Sequence, residues 1–100
     1  LKNVTIGNGV KKIGFSTFAH CSSISITIPD SVTIINNSAF LGTSITTVYY
    51  RGTSNEWGKI SIGSSNGYLT SATRYYYSES KPTQEGNFWH YNEKGEVVVW

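Results

Sequence analysis

Apolar residues recur along this chain as short alternating pairs set at one interval. Val4 and Ile6, Ile26 and Ile28, and Val48 and Tyr50 each flank one residue, and successive pairs begin 22 residues apart. Such alternation predicts a short strand with one face inward. Downstream, in the same register, Val10 matches Val32, Ile13 matches Ile35 and Phe18 matches Phe40. All six are expected to be inward anchors, with the phenylalanines plugging the core. Cys21 and Thr43 share the next matched position, which predicts a small buried residue. Turn-forming residues fill the gaps, Gly7-Asn8-Gly9 in one copy and Pro29-Asp30-Ser31 in the next. A third, fainter copy sets Trp57 at the Ile35 position and Ile62 at the Phe40 position. An apolar residue leads each strand (Leu1, Ile24, Ile45), and Ile24 stands one residue nearer its strand than the other two.

Self-similarity at this period means stacked units, each too small to bury its own apolar face. Residues 1–23, 24–44 and 45–62 are the three units, the last degenerate. Beyond Ile62 the pattern changes. Ser64 to Gly67 reads as a turn and Ala72 to Ser78 as an aromatic strand. Phe88–Tyr91 and Val97–Trp100 read as two strands of a hairpin around Asn92–Glu96. From Ile45 onward lie eleven of the fourteen aromatics. A stack of units needs its last apolar face covered, and large rings cover it within few residues. Residues 63–100 are therefore expected to form a cap in the same structural domain as the repeats. At the opposite end the first strand is expected to be uncovered and open to pairing with a second copy.

The runs IPDSVTIINNSAF (28–40) and IGNGVKKIGFSTFAHCSSI (6–24) resemble the BspA-like leucine-rich repeats of bacterial surface proteins. Ile28, Pro29, Ser31, Val32, Thr33, Ile35, Ala39 and Phe40 match that family's pattern. Ile34, Asn36 and Thr43 depart from it without disturbing the apolar positions. Leu1-x-x-Val4-x-Ile6 and Ile45-x-x-Val48-x-Tyr50 fit the strand signature of leucine-rich repeats. Tyr50 to Trp57 and the Asn87 to Tyr91 run resemble the closing segment of some of these proteins. The resemblance implies a mainly β fold: a short solenoid of right-handed coils with a parallel sheet of short strands, closed by the aromatic-rich C-terminal β cap. It also implies an extracellular or cell-surface location.

Composition narrows the chemistry. One hundred residues suit one domain, and a net charge of +2 without a Lys/Arg run longer than two excludes a basic stripe for nucleic acid. No apolar run approaches the ~20 residues needed to cross a bilayer. The chain starts partway through a repeat and without Met, as expected of a piece of a longer protein. A single cysteine, Cys21, rules out an internal disulfide and a Cys-based zinc site. His20 and His90 are the two histidines and Asp30 the one aspartate, too few for a metal shell or an oriented catalytic base. Glu93 and Glu96 fall in the hairpin loop, where solvated charge is ordinary. No catalytic, metal or cofactor residue is therefore assigned.

The aromatics carry the remaining signal. On a strand Tyr75 and Tyr77 share a face, and Trp89 and Tyr91 share another. These four residues are the candidate binding surface. The expected function is a non-enzymatic binding or adhesion module presenting an extended surface to a host or bacterial protein or glycan. The alternatives are carbohydrate binding through the cap aromatics, or a purely structural spacer and cap.

Overall fold

A computed structural model describes residues 2–21 and 23–100. Leu1, the expected apolar lead of the first strand, lies outside them. The elements in chain order are β1 (Lys2–Thr5), β2 (Lys12–Ile13), β3 (Ile24–Pro29), β4 (Ile34–Ile35), β5 (Ile45–Arg51), α1 (Ser54–Gly58), β6 (Ser61–Ile62), α2 (Gly67–Ser71), β7 (Thr73–Tyr77), β8 (Phe88–Tyr91) and β9 (Val97–Val99).

They build two sheets, and the first three coils give one strand to each. The larger has six strands in the order β1-β3-β5-β7-β8-β9, and the smaller has β2-β4-β6. All neighbours run parallel except β8 and β9. The 22-residue interval becomes physical register: Val4 lies beside Ile26 and Ile26 beside Val48 in one sheet, Ile13 beside Ile35 in the other. The apolar core fills the space between the sheets, with Ile26, Ile28, Val32, Ile35, Phe40 and Val48 all buried. Phe18 stacks on Phe40 with centroids 5.3 Å apart. The shortened lead at Ile24 appears as a bulge, because Ile24 pairs with Ile45 while Ser25 pairs with Thr47.

Two positions expected inside are exposed, and Phe18 is only partly buried against the core. Val10 is 38% exposed while its register mate Val32 is 1% exposed. Cys21 is exposed, whereas Thr43 at the same register position is fully buried. The cause is common to both: the first coil has a described neighbour on one side, the second on two. Nor is Thr43 mere filler. Its hydroxyl donates to the Phe18 carbonyl and accepts from the Cys21 backbone N–H, stitching the two coils.

The third coil breaks the expected register. Ile62 pairs with Ile35, not at the Phe40 position, a step of 27 residues (62 − 35). The extra length is α1, held by a capping box in which the Thr53 hydroxyl accepts from Glu56 N–H and the Glu56 carboxylate accepts from Thr53 N–H. Trp57 therefore sits on a helix rather than at a strand anchor, edge-on to Tyr50 with centroids 5.1 Å apart. The next sheet step is 26 residues (Thr47 to Thr73), and the last is 12 (Tyr76 to Phe88), too short to return through the second sheet. The β8–β9 hairpin forms where expected, closed by Asn92 N–H to the Glu96 carbonyl at 2.9 Å.

Asn66 secures the lengthened coil. It is 3% exposed. Its amide nitrogen donates to the Asn36 and Gly63 carbonyls at 2.9 and 3.0 Å, and its amide oxygen accepts from Phe40 N–H at 3.0 Å. Gly63 lets the two coils approach, since a Cβ there would lie 2.5 Å from the Asn37 backbone nitrogen. Replacing Asn66 with Ala leaves the buried Phe40 N–H without a partner. Asn66→Ala is expected to cost about 2–4 kcal/mol, combining that orphaned donor with two lost bonds. Urea unfolding of the variant checks this, and an unchanged midpoint would contradict it.

Candidate functional site

The outward face of the six-stranded sheet changes character across its width. Side chains alternate along each strand, so the residues beside the buried Ile26, Ile28, Val48 and Tyr50 point away from the core. In one outward row Thr5 lies beside Thr27, Thr27 beside Tyr49, and Tyr49 beside Tyr75. In the next, Pro29 lies beside Arg51, and Tyr77 beside Trp89. Hydroxyls thus give way to rings at β5.

The rings form one connected cluster. Tyr49 lies 5.6 Å from Tyr75 and 5.9 Å from Trp89 between centroids. Tyr77 and Tyr91 meet Trp89 edge-on at 5.1 and 4.9 Å, with interplanar angles of 73° and 81°. All four expected surface aromatics therefore share one face, and Tyr75, Tyr77 and Tyr91 are half-exposed on it. Trp89 is a correction: it is 0% exposed, lying beneath its neighbours. Its indole N–H reaches past β7 to donate to the Tyr50 carbonyl of β5 at 2.8 Å. A ring of this size that must bond its N–H is drawn inward when the surrounding tyrosines close over it.

The sheet curls toward this face. In a flat sheet β1 and β8 would stand four strand spacings, roughly 19 Å, apart. Here Thr5 of β1 and Tyr91 of β8 line one cavity of about 180 Å³, together with Asn8, Thr27, Pro29 and Arg51. The Arg51 guanidinium lies 5.7 Å from the ring centroids of both Tyr77 and Tyr91 and donates to the Asn8 amide oxygen at 3.3 Å. Among the described residues Arg51 is the one charged side chain at the outward positions of the six-stranded sheet. Tyr49 and Arg51 were not among the expected site residues. The signal was present, because Val48 and Tyr50 facing inward turn both of them outward.

A larger cavity of about 440 Å³ opens elsewhere, between Thr53 and Ser54 at the start of α1 and the Gln84–Phe88 loop. It holds Arg74, whose guanidinium lies 4.7 Å from Trp57 and whose Nε donates to the Tyr76 hydroxyl at 2.9 Å. Glu85 also lines it. His90 is occupied in stacking on Trp100 at 3.7 Å. Among the described residues no three or more His, Cys, Asp or Glu side chains gather as metal ligands, and no helix is long and apolar enough to cross a membrane.

Burial pushes the Tyr50 hydroxyl up to about 12, with the Glu56 and Asp30 carboxylates adding to the effect. The folded chain therefore holds this proton after the unfolded chain, with its ordinary value near 10, has released it. Stability is expected to fall as pH rises from about 10 to 12 and to be unaffected by this group below that window. Urea midpoints measured across pH 9–12 check the sign, and Tyr50→Phe should flatten the decline. A steeper decline in that variant would contradict the assignment.

The family model for the BspA type leucine-rich repeat region, in six copies, matches residues 1–80. No curated protein and no solved structure matches the chain.

Proposed function

Because the chain belongs to the BspA-type leucine-rich repeat family, a non-enzymatic repeat family of a kind that commonly serves protein interaction, we propose that it is a binding or adhesion module whose concave aromatic face meets a protein partner. BspA-type repeats occur in bacterial surface proteins, which supports a secreted or cell-surface location for the module. The observation that carries the reading is the joining of Tyr49, Arg51, Tyr75, Tyr77 and Tyr91 on one curved face. Tyr and Arg are the residue types that dominate binding energy at protein interfaces, and a shallow curved sheet suits a macromolecule rather than an enclosed small ligand.

Residues 63–100 serve in this proposal as the cap of the solenoid. Its rings then do two jobs, covering the last coil and shaping the outward face. Self-association through the outer edge of β1 belongs to the same proposal, since that edge is open among the described strands. Carbohydrate stacking is the weaker reading. Sugars stack on flat exposed rings, and the indole on this face, Trp89, lies buried. A spacer without any partner is the remaining rival.

Photo-crosslinking separates them. A benzoylphenylalanine replacing Tyr75 in the displayed protein should give protease-sensitive adducts. The same probe replacing Tyr68, which is 54% exposed on α2, should give none. Adducts from the Tyr68 position alone would move the interface elsewhere. Adducts from neither, with binding to a glycan array, would replace the protein reading with the carbohydrate one.

A further inference from the structure

We infer that Arg51 anchors an acidic-peptide subsite: the concave face receives an extended segment of the partner that places a Glu or Asp carboxylate on its guanidinium. The inference rests on the reading of this face as the interaction surface and names the chemistry it selects.

The first ground is an imbalance of charge. The chain carries eight basic and six acidic residues, and among the described residues no carboxylate stands at the outward positions of the six-stranded sheet or along the cavity beside Arg51. Asp30 follows Pro29 directly but lies toward the other side of the sheet. There it shares a cavity with Tyr50, Glu56 and Lys59. Among the described residues Arg51 is therefore a cation in a polar and aromatic cleft with no acid lining it.

The second ground is how the guanidinium is held. Two ring faces at equal distance fix its position, and one of its five N–H donors is spent on Asn8. Cation–π contact orients the group without neutralising it. The remaining donors retain the fork geometry that suits a carboxylate. The adjoining cavity of about 180 Å³ has room for a carboxylate side chain and its nearest atoms.

The contrast with Arg74 sharpens the choice. That guanidinium also stacks on rings, but its Nε is taken by the Tyr76 hydroxyl and Glu85 lines the same cleft. A second acid would meet repulsion there. A peptide is favoured over an acidic polysaccharide by the ring geometry. Tyr77 and Tyr91 each meet Trp89 edge-on and Trp89 is buried beneath them, while Arg51 lies over the faces of both tyrosines, so the flat faces a sugar would stack on are already in use.

Titration of the intact chain with an acetylated, amidated hexaglutamate peptide tests this, followed by NMR of the Arg51 Nε–H and the Tyr77 and Tyr91 rings. Hexaglutamate is expected to shift those signals at millimolar concentration and to bind less tightly as salt rises. Hexaglutamine should leave them in place. Arg51→Met should weaken hexaglutamate binding about tenfold or more, Arg51→Lys should restore part of it, and Arg74→Met should change nothing. Thermal midpoints show whether each variant is folded. Equal binding of hexaglutamine, equal loss in Arg74→Met, or tighter binding of an oligogalacturonate would overturn the proposal. Silence of hexaglutamate would overturn it as well. In that case crosslinks from the Tyr75 position would show that the face still binds protein, and their absence would remove the broader reading too.

Discussion

Every coil of this molecule depends on its neighbours to keep water from its apolar face. Matched residues show it directly. Val32 and Val10 occupy the same register position in consecutive coils, as do Thr43 and Cys21, yet the inner member of each pair is buried and the outer one exposed. Residue type is not the cause, since the two valines are identical. What differs is the number of covered sides. Burial of one such side chain contributes on the order of 1.5–3 kcal/mol, so a coil with two described neighbours gains stability over one with a single described neighbour from the same apolar anchors. Stability in a stack of this kind is a nearest-neighbour sum.

That dependence limits how far a coil may lengthen. The third coil adds five residues to the 22-residue step, and its backbone would leave polar groups stranded against the second. α1 absorbs the surplus as a helical turn whose first donors are satisfied by Thr53 and Glu56. Asn66 then ties the returning chain to Asn36 and Phe40 on the coil below. Each device serves a hydrogen-bonding need that the extra residues created. Inserted length is tolerated here because polar side chains were placed to receive it.

The same physics decides what could be read before the structure. Strand parity was legible, because a period of two leaves no choice of face once Val4, Ile26 and Val48 point inward. The 22-residue ladder and the C-terminal hairpin followed from it. The displacement of Trp57 and Ile62 did not, because extrapolating a period assumes that no residues are inserted. The Thr53-x-x-Glu56 box was the local sign of that insertion. Trp89 shows a second limit. Parity assigns it to the outward face, but a face can be covered by its own neighbours. Its burial arises from curl and from three tyrosines on three strands, which no short window of sequence contains. Arg51 and Tyr49 are legible by the same parity, since Val48 and Tyr50 facing inward turn both of them outward.

Curl, aromatic content and charge then reduce to one arrangement. Small hydroxyl residues on β1 and β3 allow the sheet to bend toward its outer face, while large rings on β5, β7 and β8 fill the hollow that bending makes. Trp89 lies at the bottom and ties β8 to β5 across the intervening strand through the Tyr50 carbonyl. Arg51 stands where the two halves meet, with Asn8 on the polar side and Tyr77 and Tyr91 on the aromatic side. Its charge is held by neighbours that cannot neutralise it, in a hollow that partly shields it from water. A cation so placed is stabilised further by an incoming carboxylate, and the shape of the hollow and its unmatched charge therefore point to the same kind of partner.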